Sequence, residues 1–485
     1  MSVPPSPTTT SSKKVIIIGA GIGGLTLAAL LERANIDYIV FEKAKTVKPL
    51  GSAMVCTPTV MLILEQLGIA DYIKANSKRI VEGRQFSDDL KPIGPVTDYR
   101  SSVDRFGHHI HILPRSVLYH AIATLVPSHK IIMGAKMLSF IQNNEGVMVR
   151  LWDNSSYHGE ILVGADGAYS AVRQTLYKSI LEKKGDLPGS DLVQLPFTDT
   201  CLVGTTIPLN PENFPFVALD DSISYYVISK TQAFSWLFFT VPENRICWMV
   251  LEHLGGNSKK DNDNFRNSEW GPEAAGEMCE RVRDFQFPGG FSMGDLIDST
   301  PRDYISKVML EEKVFETWYS GRTVLIGDAC HKLHPAGGSG AISAIHDATI
   351  LANWLYELKS TSIPDLESAF KAYRDERYPI VHKLYEASRR LSKTLGQSWV
   401  SVLTRKVMEL MPAWIWKRIL DTMYAYRPQA TFLPLCPHSG TTPPSYQASL
   451  HLARRPSQTP SSSLSTYSVS STGTDRASSV NVIPI

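Results

Sequence analysis

The 485-residue sequence has no CxxC pair and no cysteine–histidine spacing suited to a metal; its six cysteines, at 56, 201, 247, 279, 330 and 436, are scattered. That excludes a disulfide framework and a dithiol redox centre, and fits a reducing compartment, here expected to be the cytoplasm. Charge of one sign is missing too. Lys and Arg (49) nearly balance Asp and Glu (47), a net charge of +2, so composition offers nothing to nucleic acid or to an acidic partner. No internal repeat is present, and no stretch reaches the roughly 20 apolar residues of a spanning helix. The uncharged run from Val15 to Leu31 has 17 residues and contains Gly19, Gly21, Gly23 and Gly24, each costing a helix interior about 1 kcal/mol against alanine. Glu32-Arg33 follows it, where a signal peptide would need small residues for cleavage. Neither an anchor nor a secretion signal fits.

What is there reads as a folded unit in three pieces. Val15-Ile18 is a buried strand, Gly19-Gly24 a tight turn, and Leu25-Ala34 a helix with apolar residues at helical spacing. Tyr38-Phe41 is a second β-prone run, and it ends on Glu42. Strand, Gly-x-Gly-x-x-Gly, helix, strand and acid make a dinucleotide-binding βαβ unit. Gly19 permits the turn, Gly21 lets the backbone approach a pyrophosphate, and Gly24 lets helix pack on strand. The helix N-terminus offers N–H groups to phosphates. Glu42, 18 positions after Gly24, stands where a carboxylate accepts hydrogen bonds from a ribose.

With 43% hydrophobic and 20% charged residues the chain is globular and long enough for two or three domains. Residues 1–12 and 437–485 are rich in Ser, Thr and Pro and are expected to stay disordered, because they cannot bury enough apolar surface to offset ordering entropy. A chain ending near residue 440 should therefore keep its melting temperature. Between these limits, 57–73 reads as one helix with a glycine stop, 112–126 as a strand end turning into a helix, and 146–166 as a hairpin leading into a buried strand. Segments 195–255 are β-rich with alternating aromatics, and 323–359 returns to strand, glycine-rich loop and long helix. The expected division is a nucleotide domain over 13–190, with a small excursion near 80–110 into the substrate domain. A β-rich substrate domain follows over 191–304, then completion of the nucleotide domain over 305–362 and a helical region over 363–436.

"GADGAYSAVR" (164–173) and "GDACHKLHPAGGSGAISAIHDA" (327–348), added to the N-terminal glycine turn, resemble the signatures of single-component flavoprotein monooxygenases. That class includes aromatic hydroxylases and fungal epoxidases. "LPRSVLYHAI", with Arg115, resembles a fourth motif, and "YRPQATFLP" (426–434) the end of the core domain in the fungal branch. The resemblance implies an α/β fold: an FAD-binding Rossmann-like domain of the para-hydroxybenzoate hydroxylase kind, an inserted β-sheet substrate domain and a helical C-terminal region.

It implies FAD as cofactor and NAD(P)H as co-substrate, with O2 activated as a flavin C4a-hydroperoxide that hydroxylates or epoxidises a small, largely apolar or aromatic substrate. An oxidase, a halogenase or a non-catalytic FAD-binding protein is the alternative. Asp328 would hold a ribityl or ribose hydroxyl, and Arg115 would face the phosphates. Asp166 and Arg173 would serve FAD and the transient NAD(P)H site, while His331 carries no acid–base role. Pro335, Gly337, Gly338, Gly340 and Ala341 would pass along the flavin ring, with the helix N-terminus facing its O2/N1 edge. The family often has Gln at Ser339 and Asn at Ile342. Val55 stands among cofactor contacts at 51–56, where the family has a smaller residue.

Of the aromatics in the insert, Tyr225 and Tyr226 are the candidate catalytic residues; with Trp236, Phe238 and Phe239 they would line a cavity above the flavin, against the plainer reading that they form core. The basic, Trp-containing stretch 398–426 would either pack on the core or lie at a membrane surface.

Overall fold

The computed structural model describes residues 14–46, 53–94, 96–184, 186–254, 272–394, 402–404, 406–407 and 410–453. The expected N-terminal disorder and the last part of the C-terminal tail lie outside them, as do the contacts expected at 51–52.

Two sheets organise the chain. The first has six strands in the order Tyr319–Ser320, Thr323–Leu325, Ile161–Gly164, Val15–Ile18, Tyr38–Glu42, Ile131–Met133. Val15–Ile18 is fully buried and pairs in parallel on both sides, with Ile161–Gly164 and with Tyr38–Glu42, which is why it reads as an unbroken apolar run. The helix Ile22–Arg33 connects it to Tyr38–Glu42 and buries Leu25, Leu27, Leu30 and Leu31, each worth about 1.5–3 kcal/mol. The βαβ unit is formed as the sequence indicates. A three-stranded meander, Met137–Gln142, Val147–Leu151 and Ser156–Gly159, precedes Ile161–Gly164.

The second sheet has nine strands. Eight lie on the path Ser306–Glu311, Phe197–Thr205, Arg245–His253, Phe234–Val241, Asp221–Ile228, Lys78–Ser87, His111–Pro114, Ala53–Cys56, and the ninth, Thr97–Asp98, pairs with Lys78–Ser87 off that path. One face is covered by the helices Pro272–Val282 and Met293–Asp298 and holds a core of Leu202, Val227, Trp236, Phe238, Trp248 and Val250 with their helix partners. The opposite face carries Cys201, Val203, Leu237 and Leu251, with Tyr226, Phe239, Met249 and Val308 half-buried. The excursion from the nucleotide domain is wider than 80–110, since Ala53–Cys56 also belongs to this sheet. The return comes later than 305, because Ser306–Glu311 pairs with Phe197–Thr205 at the edge of the second sheet. The chain re-enters the first sheet at Tyr319.

Two further expectations need correction. The helix over 57–73 is two helices, Pro58–Gln66 and Ala70–Ala75, because the turn at Leu67-Gly68 takes a positive φ of 79° at Gly68 and breaks the hydrogen-bond ladder. The tail does not leave the core at 437. Gly440 packs on the Arg105 backbone, and Thr441 and Thr442 N–H groups donate to Asp104 and Arg105 carbonyls at 3.0 and 2.8 Å. Gln447 bridges to Gln429, and Ser449 N donates to Glu376 Oε2 at 3.0 Å. A short helix, Ala448–Ala453, ends the described chain. Composition misleads here because this segment is held by polar groups rather than by apolar burial.

Truncation after residue 437 removes several buried hydrogen bonds, each worth about 1 kcal/mol. It also strips partners from the carboxyl of Glu376, which burial raises. Differential scanning calorimetry should show a melting temperature several degrees lower, whereas truncation after 453 should leave it unchanged.

Candidate functional site

The glycine turn is shaped by contact rather than by flexibility. Gly19 has φ +107°, and a Cβ there would stand 2.4 Å from the Ala165 carbonyl oxygen; one on Gly24 would stand 2.0 Å from the Gly19 carbonyl. Only hydrogen fits. A Cβ on Gly21 would meet nothing within 4 Å, so the middle glycine borders open space. Glu42 is half-buried behind this turn. Its Oε2 accepts from Ala20 N at 2.8 Å and its Oε1 from Ala44 N at 2.9 Å, leaving further lone pairs for a ligand hydroxyl. The acid thus also braces the turn, a role that spacing alone does not reveal.

The second motif meets the first at Ala165, whose N–H donates to Ile18. Asp166 is half-buried and caps the helix Ala171–Lys184, Oδ2 accepting from Ala171 N at 2.7 Å and Val172 N at 3.2 Å. Its Oδ1 is buried with no partner. Burial, only partly offset by these hydrogen bonds, raises its carboxyl. Arg173 lies inward: it donates to Ala329 O and Ala168 O, both at 2.7 Å, and stacks on Phe315 at 4.0 Å. It ties the second motif to the third.

In the third motif Lys332 Nζ lies 2.6 Å from Asp328 Oδ2. Burial alone would lower this lysine, but Asp328 and Glu311 raise it, against a smaller opposing push from Arg115. Arg115 is exposed at the start of its helix, after Pro114. Asp328, Arg115 and Lys332 therefore share one electrostatic neighbourhood, and Glu311, which accepts from Tyr169, borders it. Sequence reasoning missed Lys332, although its position four residues after Asp328 in a charge-poor motif was visible. Beyond it, Pro335–Gly337 forms a tight turn and Gly340–Tyr356 a helix whose N-cap, Ser339, turns its Oγ to Gly337 O instead. Ala341 is half-buried in the first turn and Ile342 is buried. The first intrahelical bond is from Ser343 N, so the preceding N–H groups face outward. Cβ atoms on Gly338 and Gly340 would meet nothing within 4 Å.

Beneath the loop lies a charged core. Asp347, fully buried, accepts from Gly327 N at 2.9 Å, lies 2.5 Å from His331 Nε2 and 2.8 Å from Arg377 Nε. Burial pushes this carboxyl up, but His331 and Arg377 together hold it well below the usual carboxylate range. Cys330, His331 and Asp347 form a metal-like trio, yet the carboxylate oxygens are already engaged and burial holds the Cys330 thiol protonated. His331 is structural.

The expected substrate-side residues separate. Tyr225 stacks on Phe238 (4.8 Å, 7°) and joins the helix-covered core with Trp236. Tyr226 and Phe239 are on the opposite face, with Asp199, whose carboxylate lies 3.1 Å from His334 Nε2 beside the glycine loop. Tyr225 is thus a packing residue, since successive strand residues face opposite ways. Val55 packs with Ile80, Phe106 and Ile112.

His346, on the same helix as Asp347, is lowered to about 3, mainly by burial and then by Arg377; burial and His109 lower His111 to about 4. Below pH 6.5 the unfolded chain takes up protons that these folded histidines refuse, so stability falls as pH drops toward those values. At pH 5 the loss is about 2 kcal/mol for each. Urea unfolding at pH 7 and pH 5 measures it, and His346→Asn should remove its share.

The open space at Gly21, Gly338 and Gly340, the orphaned Asp166 Oδ1 and the uncapped helix start suit a dinucleotide with a planar ring, as FAD is. A model described as "FAD binding domain" matches residues 12–206 and 293–388. The FAD-dependent monooxygenase paxM of Penicillium paxilli is 31% identical over 401 residues, 78% of each chain. The FAD-dependent monooxygenase atmM of Aspergillus flavus is 29% identical over 88% of each. Among solved structures, HpxO of Klebsiella pneumoniae complexed with FAD and uric acid has the same fold, with a TM-score of 0.65, 19% identity, and coverage of 85% of this chain and 95% of its own. PqsL of Pseudomonas aeruginosa follows at a TM-score of 0.61 and 21% identity, over 81% of this chain and 98% of its own. The three motifs meet through Ala165, Arg173 and Asp347, and the chain belongs to the FAD-dependent monooxygenases, a family of oxidoreductases.

Proposed function

We propose that the protein inserts one oxygen atom of O2 into a small, largely apolar substrate, with NAD(P)H as reductant. Bound FAD supplies electron transfer from NAD(P)H and the activation of O2. The observation that carries the substrate class is the sheet face turned toward the glycine loop. Tyr226, Leu237, Phe239, Met249 and Val308 leave it half-buried and apolar, so it favours a hydrocarbon framework over a charged one.

The chain's own residues divide the work. Glu42, Gly21 and Arg115 would bind the dinucleotide, Asp166 and Asp328 its hydroxyls, and Gly338, Gly340 and Ala341 the ring edge. On binding, Asp328 would exchange Lys332 for a hydroxyl donor. The fungal relatives named above suit a secondary-metabolite substrate, either hydroxylated or epoxidised. With 18O2, one labelled oxygen should appear in the product and one in water, and NADPH oxidation should rise many-fold when a correct apolar substrate is added. Peroxide in stoichiometric amount, with unlabelled product from every stimulating compound, would make the enzyme an oxidase.

Among the described residues no helix is long and apolar enough to cross a membrane. Contact with a membrane surface is supported by the helix Ala413–Tyr424 and the residues before it. Trp414 (68%), Leu410 (82%) and Val407 are exposed there, together with Lys406, Lys417 and Arg418. Co-sedimentation with vesicles containing anionic lipid should capture the protein at low salt, and Trp414→Glu should weaken it. Equal recovery with and without vesicles would leave this helix without a lipid role.

A further inference from the structure

We propose that His334 delivers a proton into the flavin site, positioned and recharged by Asp199 and His253. This rests on the monooxygenase reading, whose net equation consumes one proton. Substrate, O2, NAD(P)H and H+ become oxygenated substrate, water and NAD(P)+.

His334 immediately precedes the Pro335–Gly337 turn and is fully buried. Its Nε2 lies 3.1 Å from Asp199 Oδ2. Asp199 belongs to the other sheet, so the contact joins the cofactor loop to the substrate sheet. The other oxygen, Oδ1, lies 2.5 Å from His253 Nδ1, on the residue directly across the ladder from Asp199. The side chain of His253 is 18% exposed, against 4% for Asp199 and none for His334. The chain therefore has a solvent end and a buried end.

Beyond it, Ser235 Oγ lies 3.0 Å from His253 Nε2 and 3.0 Å from Tyr226 Oη. With Tyr226 Oη donating to Ser235 Oγ and Ser235 Oγ to Nε2, the Nδ1 proton of neutral His253 is left for Asp199. A carboxylate between two imidazoles lets a buried ring carry a positive charge that would otherwise be prohibitively desolvated.

The step balances. An N–H bond of the His334 imidazolium breaks and its proton goes to the oxygen that leaves as water. His253, protonated from solvent, loses a proton to Asp199, which passes it to His334 and is a carboxylate again. No electrons move on this path. Among the described residues, the titratable groups near it are engaged elsewhere or held protonated. Tyr226 and the Cys201 thiol on the same face are held protonated by burial, reinforced by Asp199. Glu252, next to His253, reaches Thr200 and Arg281. Glu312 pairs with Arg389 at 3.4 Å, and Glu311 accepts from Tyr169. In the loop itself, His331 is held by Asp347 and Lys332 by Asp328.

The test begins without turnover. In resting, FAD-loaded protein labelled with 15N-histidine, the His334 and His253 imidazole signals should titrate as a coupled pair. Asp199→Asn should uncouple them and leave His331 unmoved. In single turnovers, His334→Asn and Asp199→Asn should slow product formation tenfold or more and flatten its pH profile, at unchanged FAD affinity. Added imidazole should restore His253→Ala, whose site touches solvent, but not His334→Ala. Independent titration of the two rings in the wild type, or an unaltered solvent deuterium isotope effect in His334→Asn, overturns the proposal. Wild-type turnover yielding only peroxide would instead sink the monooxygenase reading, and the NMR titration would still decide the coupling.

Discussion

A buried carboxylate is the constraint on which this molecule turns. Asp347 has no access to water, and every segment that compensates its charge is thereby fixed in place. Gly327 N positions the turn that carries Asp328, His331 fixes the next residues of the loop, and Arg377 brings in the long helix Ile363–Thr394. Removing one partner of such a group costs about 3–5 kcal/mol, so the arrangement is all or none. Arg377 also reaches Ser343, in the first turn of the helix that follows the glycine loop. The cofactor loop is thus held from beneath by charge, while its upper side stays open.

The second sheet divides its residues by alternation. On Phe197–Thr205 the odd positions Asp199, Cys201 and Val203 turn toward the cofactor loop, and Leu202 turns toward the helices. The same rule separates Tyr226 from Tyr225. A face that is mostly apolar but contains one shared carboxylate can hold a hydrocarbon and still admit a proton.

Much of this was legible in sequence, and what was not follows a pattern. The glycine turn, the helix after it and Glu42 are local in sequence, and their chemistry can be read from spacing. Arg115, Asp328 and the 335–341 loop were singled out by motif, whereas the ion pair of Asp328 with Lys332 was not foreseen. The tail was misjudged because Gln447 and Ser449 pack through hydrogen bonds to Gln429, Asn353 and Glu376, which composition does not register. Asp199 was invisible for another reason. Its partners, His253 and His334, lie 54 and 135 residues away; the register of the antiparallel ladder brings the first opposite it, and the packing of the glycine loop on that sheet brings the second. Period-two patterning separates Tyr225 from Tyr226, yet cannot say which face meets the cofactor.

The docking of residues 438–453 bears on how the protein comes to be assembled. The first sheet needs Thr323–Leu325 beside Ile161–Gly164, and the helix Gly340–Tyr356 receives Gln429 and Ser449 on Asn353. During synthesis Ile161–Gly164 must wait for a partner translated about 160 residues later. The last of these contacts can form only once residue 453 has emerged. The helix Gly340–Tyr356 is therefore fastened only in a chain that includes residues 438–453, and anything fused after residue 453 must leave that segment free to close.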